Sequence, residues 1–211
     1  MQKGDDAQVP GGPGDHGEDP RVLRVAGGAG EGPRHVAAHQ ADRGGARPGR
    51  RAVSDYAQTL AKRPGTPAFR SLALRGRSGT GPVDPSWSAV RIGLYAEHLE
   101  AWRRYFPPAQ MLFVSGEALV REPAAEVGRV QDFLGLAREV GEGNFYFNRT
   151  KGFPCLVKEG GGDGGRPHCL GKTKGRAHPE IHPRTLQTLR RFYAPHNRKF
   201  YRMTGHDFGW D

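Results

Sequence analysis

Met111-Leu112-Phe113-Val114 is a short apolar run between two longer stretches of helical periodicity. Four consecutive apolar residues bounded by turn signals are typical of a buried strand. Trp87 to Tyr105 before it has apolar residues at helical spacing and ends at a Pro-Pro pair. Pro123 to Leu134 after it has the same spacing and ends at Gly135. Helix, strand and helix in alternation predict an α/β domain around a parallel sheet.

The rest of the carboxyl-side sequence adds helices but no second convincing core strand. One buried strand is too few for an independent α/β domain, so we predict that part of the sheet is missing. Further predicted elements are a helix over Arg51 to Lys62, a short helix over Phe69 to Leu74, a turn at Ser115-Gly116-Glu117, a last helix over Ile181 to Phe192, and an aromatic tail, Tyr193 to Trp210, that packs back on the core.

Residues 1–50 have a different composition from the rest of the chain. They contain no Phe, Trp or Tyr, and they show neither a helical nor a strand period. Because this segment has little apolar surface to offset the loss of chain entropy, we predict that it is disordered. The sequence thus divides into a Gly/Pro/Arg-rich segment, 1–50, and a folded part, 51–211.

The charge and the cysteines narrow the class of protein. The formal net charge of +10 suits a polyanionic partner, which includes nucleic acid, a sulfated glycan and an anionic membrane surface. No apolar run is long enough to span a bilayer, and no signal-peptide pattern or membrane anchor is visible. Yet two closely spaced cysteines and the sequon at Asn148 favour a secretory lumen.

The stretch from Asn148 to Pro179 contains both cysteines and a cluster of cations and glycines. A loop that presents cations and backbone N–H groups can hold phosphate. From the residues alone, a solvated basic loop is an equally good interpretation, and Cys155 and Cys169 are either free thiols or a bridge. The cluster reads Gly171-Lys172-Thr173-Lys174-Gly175-Arg176-Ala177-His178-Pro179.

Several motifs in order resemble heparan sulfate glucosamine 3-O-sulfotransferases. The resemblance covers Arg51 to the carboxyl terminus. It rests on Trp87-Ser88-Ala89-Val90-Arg91-Ile92-Gly93-Leu94-Tyr95, Phe113-Val114-Ser115-Gly116-Glu117, Val130-Gln131-Asp132-Phe133-Leu134-Gly135-Leu136, Phe145-Tyr146-Phe147-Asn148, Lys151-Gly152-Phe153-Pro154-Cys155, Cys169-Leu170-Gly171-Lys172, Lys174-Gly175-Arg176-Ala177-His178-Pro179 and Thr204-Gly205-His206-Asp207-Phe208-Gly209-Trp210.

The resemblance implies a P-loop-like α/β sulfotransferase fold and a location in the Golgi lumen. It also implies transfer of a sulfuryl group from 3′-phosphoadenylyl sulfate (PAPS) to the 3-hydroxyl of glucosamine in heparan sulfate. By the same resemblance, Cys155 and Cys169 form a disulfide, and Trp87 and Ser88 contact the glycan. The implied nucleotide-binding residues are Ser54 for the 3′-phosphate and Lys174, Gly175, Arg176, Ala177 and His178 for the phosphates.

The amino-terminal segment departs from the family pattern. Residues 1–50 contain no Gly-x-x-x-x-Gly-Lys-Ser/Thr-like loop for the 5′-phosphosulfate, and Ala46 occupies the position of the family's strand-ending Arg. The family's catalytic Glu has no counterpart, so no catalytic residue is assigned. Codons for His16 to Pro20 and His39 to Gly45 can give family-like residues in a neighbouring frame. We therefore interpret residues 10–50 as an out-of-frame translation, and we predict an incomplete fold with little or no activity.

Other interpretations of single residues and of the whole chain remain open at this stage. Trp87 can anchor the core, Ser88 can cap a helix, and Ser54 can be an ordinary serine at a helix start. No metal site is predicted, since metal-ligand spacing with other donors is lacking at His98, His182, His196 and His206. The alternative function is a non-catalytic heparan sulfate or heparin binder. A nucleic-acid-binding protein ranks last, because no recognition motif is present.

Overall fold

The computed structural model describes residues 22–25, 34–38, 47–76, 79–157, 167–169 and 177–210, and of the first two ranges only the backbone. The described helices are α1 (Pro48–Lys62), α2 (Phe69–Ala73), α3 (Ser88–Arg91), α4 (Tyr95–Arg103), α5 (Gly116–Arg121), α6 (Pro123–Leu134) and α7 (Pro183–Thr204). The described strands are β1 (Val22–Val25), β2 (Arg34–Ala38), β3 (Met111–Val114), β4 (Phe145–Asn148), β5 (Phe153–Val157) and β6 (Pro167–His168).

The first sheet contains the predicted strand β3 and two strands that were not predicted. β2 lies parallel to β3, with Ala38 opposite Val114, and β1 is antiparallel to β2. The prediction of disorder is therefore wrong for β1 and β2, because pairing with a distant strand outweighs a weak local pattern. The rest of the segment before residue 47 lies outside the described residues, and the division into 1–50 and 51–211 stays a prediction.

Four helices, α1, α2, α3 and α7, contribute to the larger of the two apolar cores of the described residues. α1 has Pro at its first position, which suits a helix start, and it buries Val53 and Tyr56 against α3 and α7. The Tyr193 hydroxyl on α7 donates a 2.8 Å hydrogen bond to the Val90 carbonyl on α3. Burial raises the pKa of Tyr193 well above its usual range, so this hydroxyl keeps its proton.

The predicted single helix from Trp87 to Tyr105 is in fact two helices, α3 and α4, separated at Ile92-Gly93-Leu94. The break between the two helices is caused by tertiary packing. A Cβ on Gly93 would lie 2.9 Å from the Pro48 side chain and 2.9 Å from the Tyr193 ring. The chain therefore passes close to α1 and α7 at this point, where only glycine fits. Helical periodicity alone does not show such a close approach.

Replacing Gly93 by alanine is expected to destabilise the fold by about 1–3 kcal/mol, because the added methyl group overpacks a buried contact. Urea unfolding followed by circular dichroism measures the change. The matched control is Gly65→Ala, where an added Cβ meets nothing within 4 Å. Equal midpoints for the two variants would show that the close approach at Gly93 does not constrain the fold.

The smaller core is aromatic and joins α4, β3, α7 and the carboxyl-terminal residues. Phe200 and Trp210 stack with ring centroids 5.7 Å apart, and Trp210 is only 3% exposed. The prediction that the aromatic tail packs back on the core is therefore confirmed. The predicted end of the last helix at Phe192 is wrong, since α7 continues through Pro195 to Thr204. Burial of Phe200 on the later turns offsets the hydrogen bond that Pro195 cannot make.

A short helix replaces the turn predicted at Ser115-Gly116-Glu117. The Ser115 hydroxyl accepts a 3.1 Å hydrogen bond from the Ala118 N–H, so Ser115 is the N-cap of α5. Glu117 in the first turn accepts from the Arg47 N–H at 3.2 Å. This bond ties the start of α5 to the residue that precedes α1.

Candidate functional site

A disulfide joins two parts of the second sheet. Two strands of this sheet, β5 and β6, lie within the stretch from Asn148 to Pro179, which the sequence indicates as a candidate phosphate-binding segment. β5 pairs antiparallel with both β4 and β6. Cys155 on β5 is bonded to Cys169, which follows β6 directly, and their Cα atoms lie 4.5 Å apart. The alternative of two free thiols is thereby excluded, and the bridge implied by the resemblance is confirmed. The disulfide thus anchors Cys169, and the glycine- and cation-rich cluster begins two residues later, at Gly171.

Asn148, the asparagine of the sequon, lies against this disulfide. Its side-chain Nδ2 is 3.7 Å from the Cys169 sulfur, and its Oδ1 accepts a 3.0 Å hydrogen bond from the Lys151 N–H. The side chain is half-buried. Asn148 thus has a structural role at the end of β4, which the sequon pattern does not indicate.

The predicted phosphate-binding loop is described only at its end. Lys174, Gly175 and Arg176 lie outside the described residues. Ala177 is exposed and His178 is half-buried. The chain then reaches α7, where the N-cap His182 accepts a 3.2 Å hydrogen bond from the Arg184 N–H.

Ser54 lies inside α1, more than one turn after its start, and is half-buried. The alternative of an ordinary serine at a helix start is therefore wrong. On the same helix Arg51 and Asp55 form an ion pair of 3.1 Å. α1 contacts α7, and α7 follows His178 by only a few residues. Helix α1, which carries Ser54, therefore packs beside α7, which begins shortly after the predicted phosphate-binding residues end.

Trp87 packs into the larger core at the start of α3. Its ring lies 5.3 Å from the Phe69 ring and 6.4 Å from the Tyr56 ring, both edge-on. Ser88 is exposed and is the first residue of α3, whose N-cap is Trp87, so the alternative of Ser88 as a cap is wrong. Trp87 therefore anchors the core, and it is half-buried.

Two described carboxyl groups, neither of them a predicted site residue, have lowered pKa values. Hydrogen bonds from Ser86 lower the pKa of Asp84, and the Arg138 guanidinium lowers that of Asp132. The Asp132 side chain is exposed, and Asp84 is half-buried. Within the described residues no group of three or more His, Cys, Asp or Glu side chains could hold a metal ion. His98 instead contacts the Arg91 carbonyl at 3.2 Å.

Sequence reasoning missed a cavity of about 330 Å³ at the start of α1, which Arg50 and Arg190 line together with the buried Asn197. Its lining comes from residues about 140 positions apart along the chain. The only signal in the sequence is the spacing of Arg190 and Asn197 on one face of a helix, at positions i and i+7.

A model of the sulfotransferase domain matches residues 48–204 of this chain. The chain belongs to the sulfotransferase family. This confirms the predicted α/β sulfotransferase fold, and the family implies a sulfonate donor. A sulfotransferase structure from Alicyclobacillus acidocaldarius superposes with a TM-score of 0.53 at 18% identity, and covers 83% of this chain and 56% of that one. At that identity the match supports the fold alone.

Individual relatives are more similar. Mouse heparan sulfate glucosamine 3-O-sulfotransferase 6 is 66% identical over 161 residues, and mouse 3-O-sulfotransferase 3B1 is 65% identical over 161. The human protein 6 is 64% identical over 160 residues. These alignments cover 76% of this chain but only 40–46% of the relatives. The sulfotransferase thus spans just under half the length of the relatives it matches.

The helices of the described part do not include a membrane-spanning candidate: each is too short or too polar to cross a bilayer.

Proposed function

We propose that this sulfotransferase is the carboxyl-side part of a heparan sulfate glucosamine 3-O-sulfotransferase. Its reaction is transfer of a sulfuryl group from PAPS to the 3-hydroxyl of glucosamine in heparan sulfate. The observation that carries the proposal is the 64–66% identity to three proteins of that name over 160–161 residues. The Golgi lumen is the proposed location, and the Cys155–Cys169 disulfide suits an oxidising compartment.

The nucleotide is the ligand that the described residues fit best. Ser54 offers a hydroxyl from the rigid helix α1, and His178 is half-buried at the end of a stretch with three cations. Hydroxyl, backbone and cationic donors together are the groups that bind phosphate. In this proposal Ser54 binds the 3′-phosphate of PAPS, and Lys174, Gly175, Arg176, Ala177 and His178 surround its phosphates.

The glycan is proposed to contact the start of α3. The exposed Ser88 hydroxyl can hydrogen-bond a sugar, and the accessible part of Trp87 beside it offers an apolar surface. The net charge of +10 attracts a polyanionic chain such as heparan sulfate over a longer range. Asn148 is proposed as a glycosylation site on the sequon alone.

Catalytic turnover is the part of the proposed activity for which this chain offers the fewest residues. Sulfuryl transfer needs a base for the hydroxyl proton and preorganised donors for the charge that builds on the leaving phosphate. No residue of the chain is assigned as the base, and residues 1–50 contain no counterpart of the family's loop around the reacting sulfate. We therefore propose that the 211-residue chain binds nucleotide and glycan but transfers sulfate slowly or not at all. A rate equal to that of a full-length relative, measured with radiolabelled PAPS, would contradict this.

Ser54→Ala is expected to weaken the binding of adenosine 3′,5′-bisphosphate roughly 10-fold, because one hydrogen bond to a charged phosphate is lost. Isothermal titration calorimetry measures the affinity. The matched control is Ser71→Ala, which removes an exposed hydroxyl from α2 and should leave the affinity unchanged. Binding that is unaffected by Ser54→Ala would overturn the assignment of Ser54. If the wild-type chain binds heparin but no nucleotide, the non-catalytic heparin binder is the correct function.

We also propose that residues 10–50 are translated out of frame. The support is the family match, which covers residues 48–204 and leaves nearly all of that range unmatched. Sequencing the transcript upstream of the Ser54 codon tests it. The neighbouring frame should encode an apolar strand that ends in Arg, and the proposal fails if it does not.

A further inference from the structure

The cavity at the start of α1 has the chemistry of an anion site. It measures about 330 Å³ and lies between the first turn of α1 and one face of α7. Three arginines, Arg47, Arg50 and Arg190, line it, and no acidic residue is among the described lining residues. Ser54, the proposed 3′-phosphate contact, is not among the described lining residues.

The first turn of α1 presents backbone donors to this cavity. No side chain caps the helix, and within the described residues neither the Gly49 N–H nor the Arg50 N–H has an acceptor. These groups are at the positive end of a 15-residue helix dipole. An oxyanion is the ligand that such a helix start favours.

A second, independent feature is the side chain of Asn197. This residue is only 3% exposed and lines the cavity from α7. Its amide makes no hydrogen bond to any residue of the described part. Because Asn197 lines the cavity, its amide is available to a molecule bound there. A ligand with acceptor atoms in the cavity would satisfy the Asn197 Nδ2.

Two of the arginines have charges that the described protein does not neutralise. Arg50 and Arg190 are exposed, and neither forms an ion pair with a described residue. Arg47 is partly engaged, since its guanidinium donates a 3.0 Å hydrogen bond to the Gly209 carbonyl. Guanidinium groups bind sulfate and phosphate through paired N–H donors.

We propose that this cavity binds a tetrahedral oxyanion group, sulfate or phosphate, between the first turn of α1 and α7. The Gly49 and Arg50 N–H groups, the Asn197 amide, and the Arg50 and Arg190 guanidinium groups are its donors. The proposal goes beyond the nucleotide and glycan contacts proposed above and does not depend on them.

Titration of the full chain with sodium sulfate and with sodium phosphate, at ionic strength held constant with chloride, tests the site. Amide chemical shifts of Gly49 and Arg50 are expected to move and saturate. Arg190→Gln should raise the dissociation constant roughly 10-fold, since a charge-assisted hydrogen bond is lost. Arg191→Gln removes an adjacent exposed charge that does not line the cavity. This variant should change the dissociation constant by no more than about twofold.

Asn197→Asp gives a second readout, because a carboxylate of the same shape repels the anion. Sulfate binding should disappear while the circular dichroism spectrum is unchanged. If this variant does not fold, the comparison of Arg190→Gln with Arg191→Gln still tests the site. Amide chemical shifts that do not saturate would overturn the proposed anion site. Equal increases in the dissociation constant for Arg190→Gln and Arg191→Gln would overturn it as well. Loss of sulfate binding in Ser54→Ala would assign it to the nucleotide instead, and overturn its independence. Failure to bind nucleotide leaves the sulfate titration unaffected.

Discussion

Phe200→Ala is expected to lower the free energy of unfolding by about 3–5 kcal/mol, the range for removing a buried aromatic side chain. Phe200 is 2% exposed and contacts the rings of Tyr95, Phe113, Phe208 and Trp210. The truncation therefore opens a cavity where α4, β3, α7 and the tail meet. Since domains are stable by only about 5–15 kcal/mol, this variant should be close to unfolded at room temperature.

Urea unfolding, followed by circular dichroism and tryptophan fluorescence, measures the loss. Phe147→Ala is the matched control, because Phe147 lies on β4 and is 54% exposed. That variant should change stability by less than about 1 kcal/mol. Equal effects of the two substitutions would show that the aromatic core does not hold the carboxyl-terminal half together.

Loss of the Cys155–Cys169 bridge is expected to destabilise the second sheet by on the order of 3 kcal/mol, by the chain-entropy estimate for a ring of this size. β6 has only two residues, and two residue pairs join it to β5. Without the bridge this pairing is too short to persist, because isolated short strands are marginal. Nucleotide affinity should also fall, since the proposed phosphate-binding residues begin five positions after Cys169.

Hydrogen exchange on the oxidised chain and on the Cys155→Ser/Cys169→Ser variant measures this effect. Amide protection in β5 should fall roughly 100-fold, while protection in α4 stays the same. The helix is the internal control, because it packs in a core to which neither cysteine belongs. Unchanged protection in β5 would mean that strand pairing alone holds the sheet.

Elements with a strong local pattern were predictable from the sequence. The apolar run of β3, the periodicity of α6 with Gly135 as its stop, and the amphipathic pattern of α1 all gave the correct element. Gly135 is in the left-handed region with φ of 69°, as a helix-ending glycine should be. These features depend on neighbours within a few residues of one another.

Several features that depend on distant neighbours were not predictable. The break at Gly93 is set by Pro48 and Tyr193, which lie 45 residues before it and 100 after it. Continuation of α7 through Pro195 depends on burial of later turns, and β2 is a strand because β3 lies beside it. For a single sequence, such contacts leave no periodic signal.

The candidate site divides in the same way. Motif resemblance gave Cys155, Cys169 and Ser54, and the structure confirms the disulfide between the two cysteines. It did not show that Asn148 supports that disulfide, or that Trp87 packs mainly into the core. The cavity at Asn197 left no motif, because its donors are backbone groups and side chains that only the packing of α1 against α7 brings together.

The hydrogen bond from the Arg47 guanidinium to the Gly209 carbonyl joins residues 162 positions apart. A ribosome adds about 5–20 residues per second, so Arg47 is made on the order of ten seconds before its partner. The apolar faces of α1 and α4 have no α7 to pack on during that time. Nascent chains must therefore stay soluble while incomplete, and a premature stop a few codons before the end, which removes Trp210, would release a product with the smaller, aromatic core open.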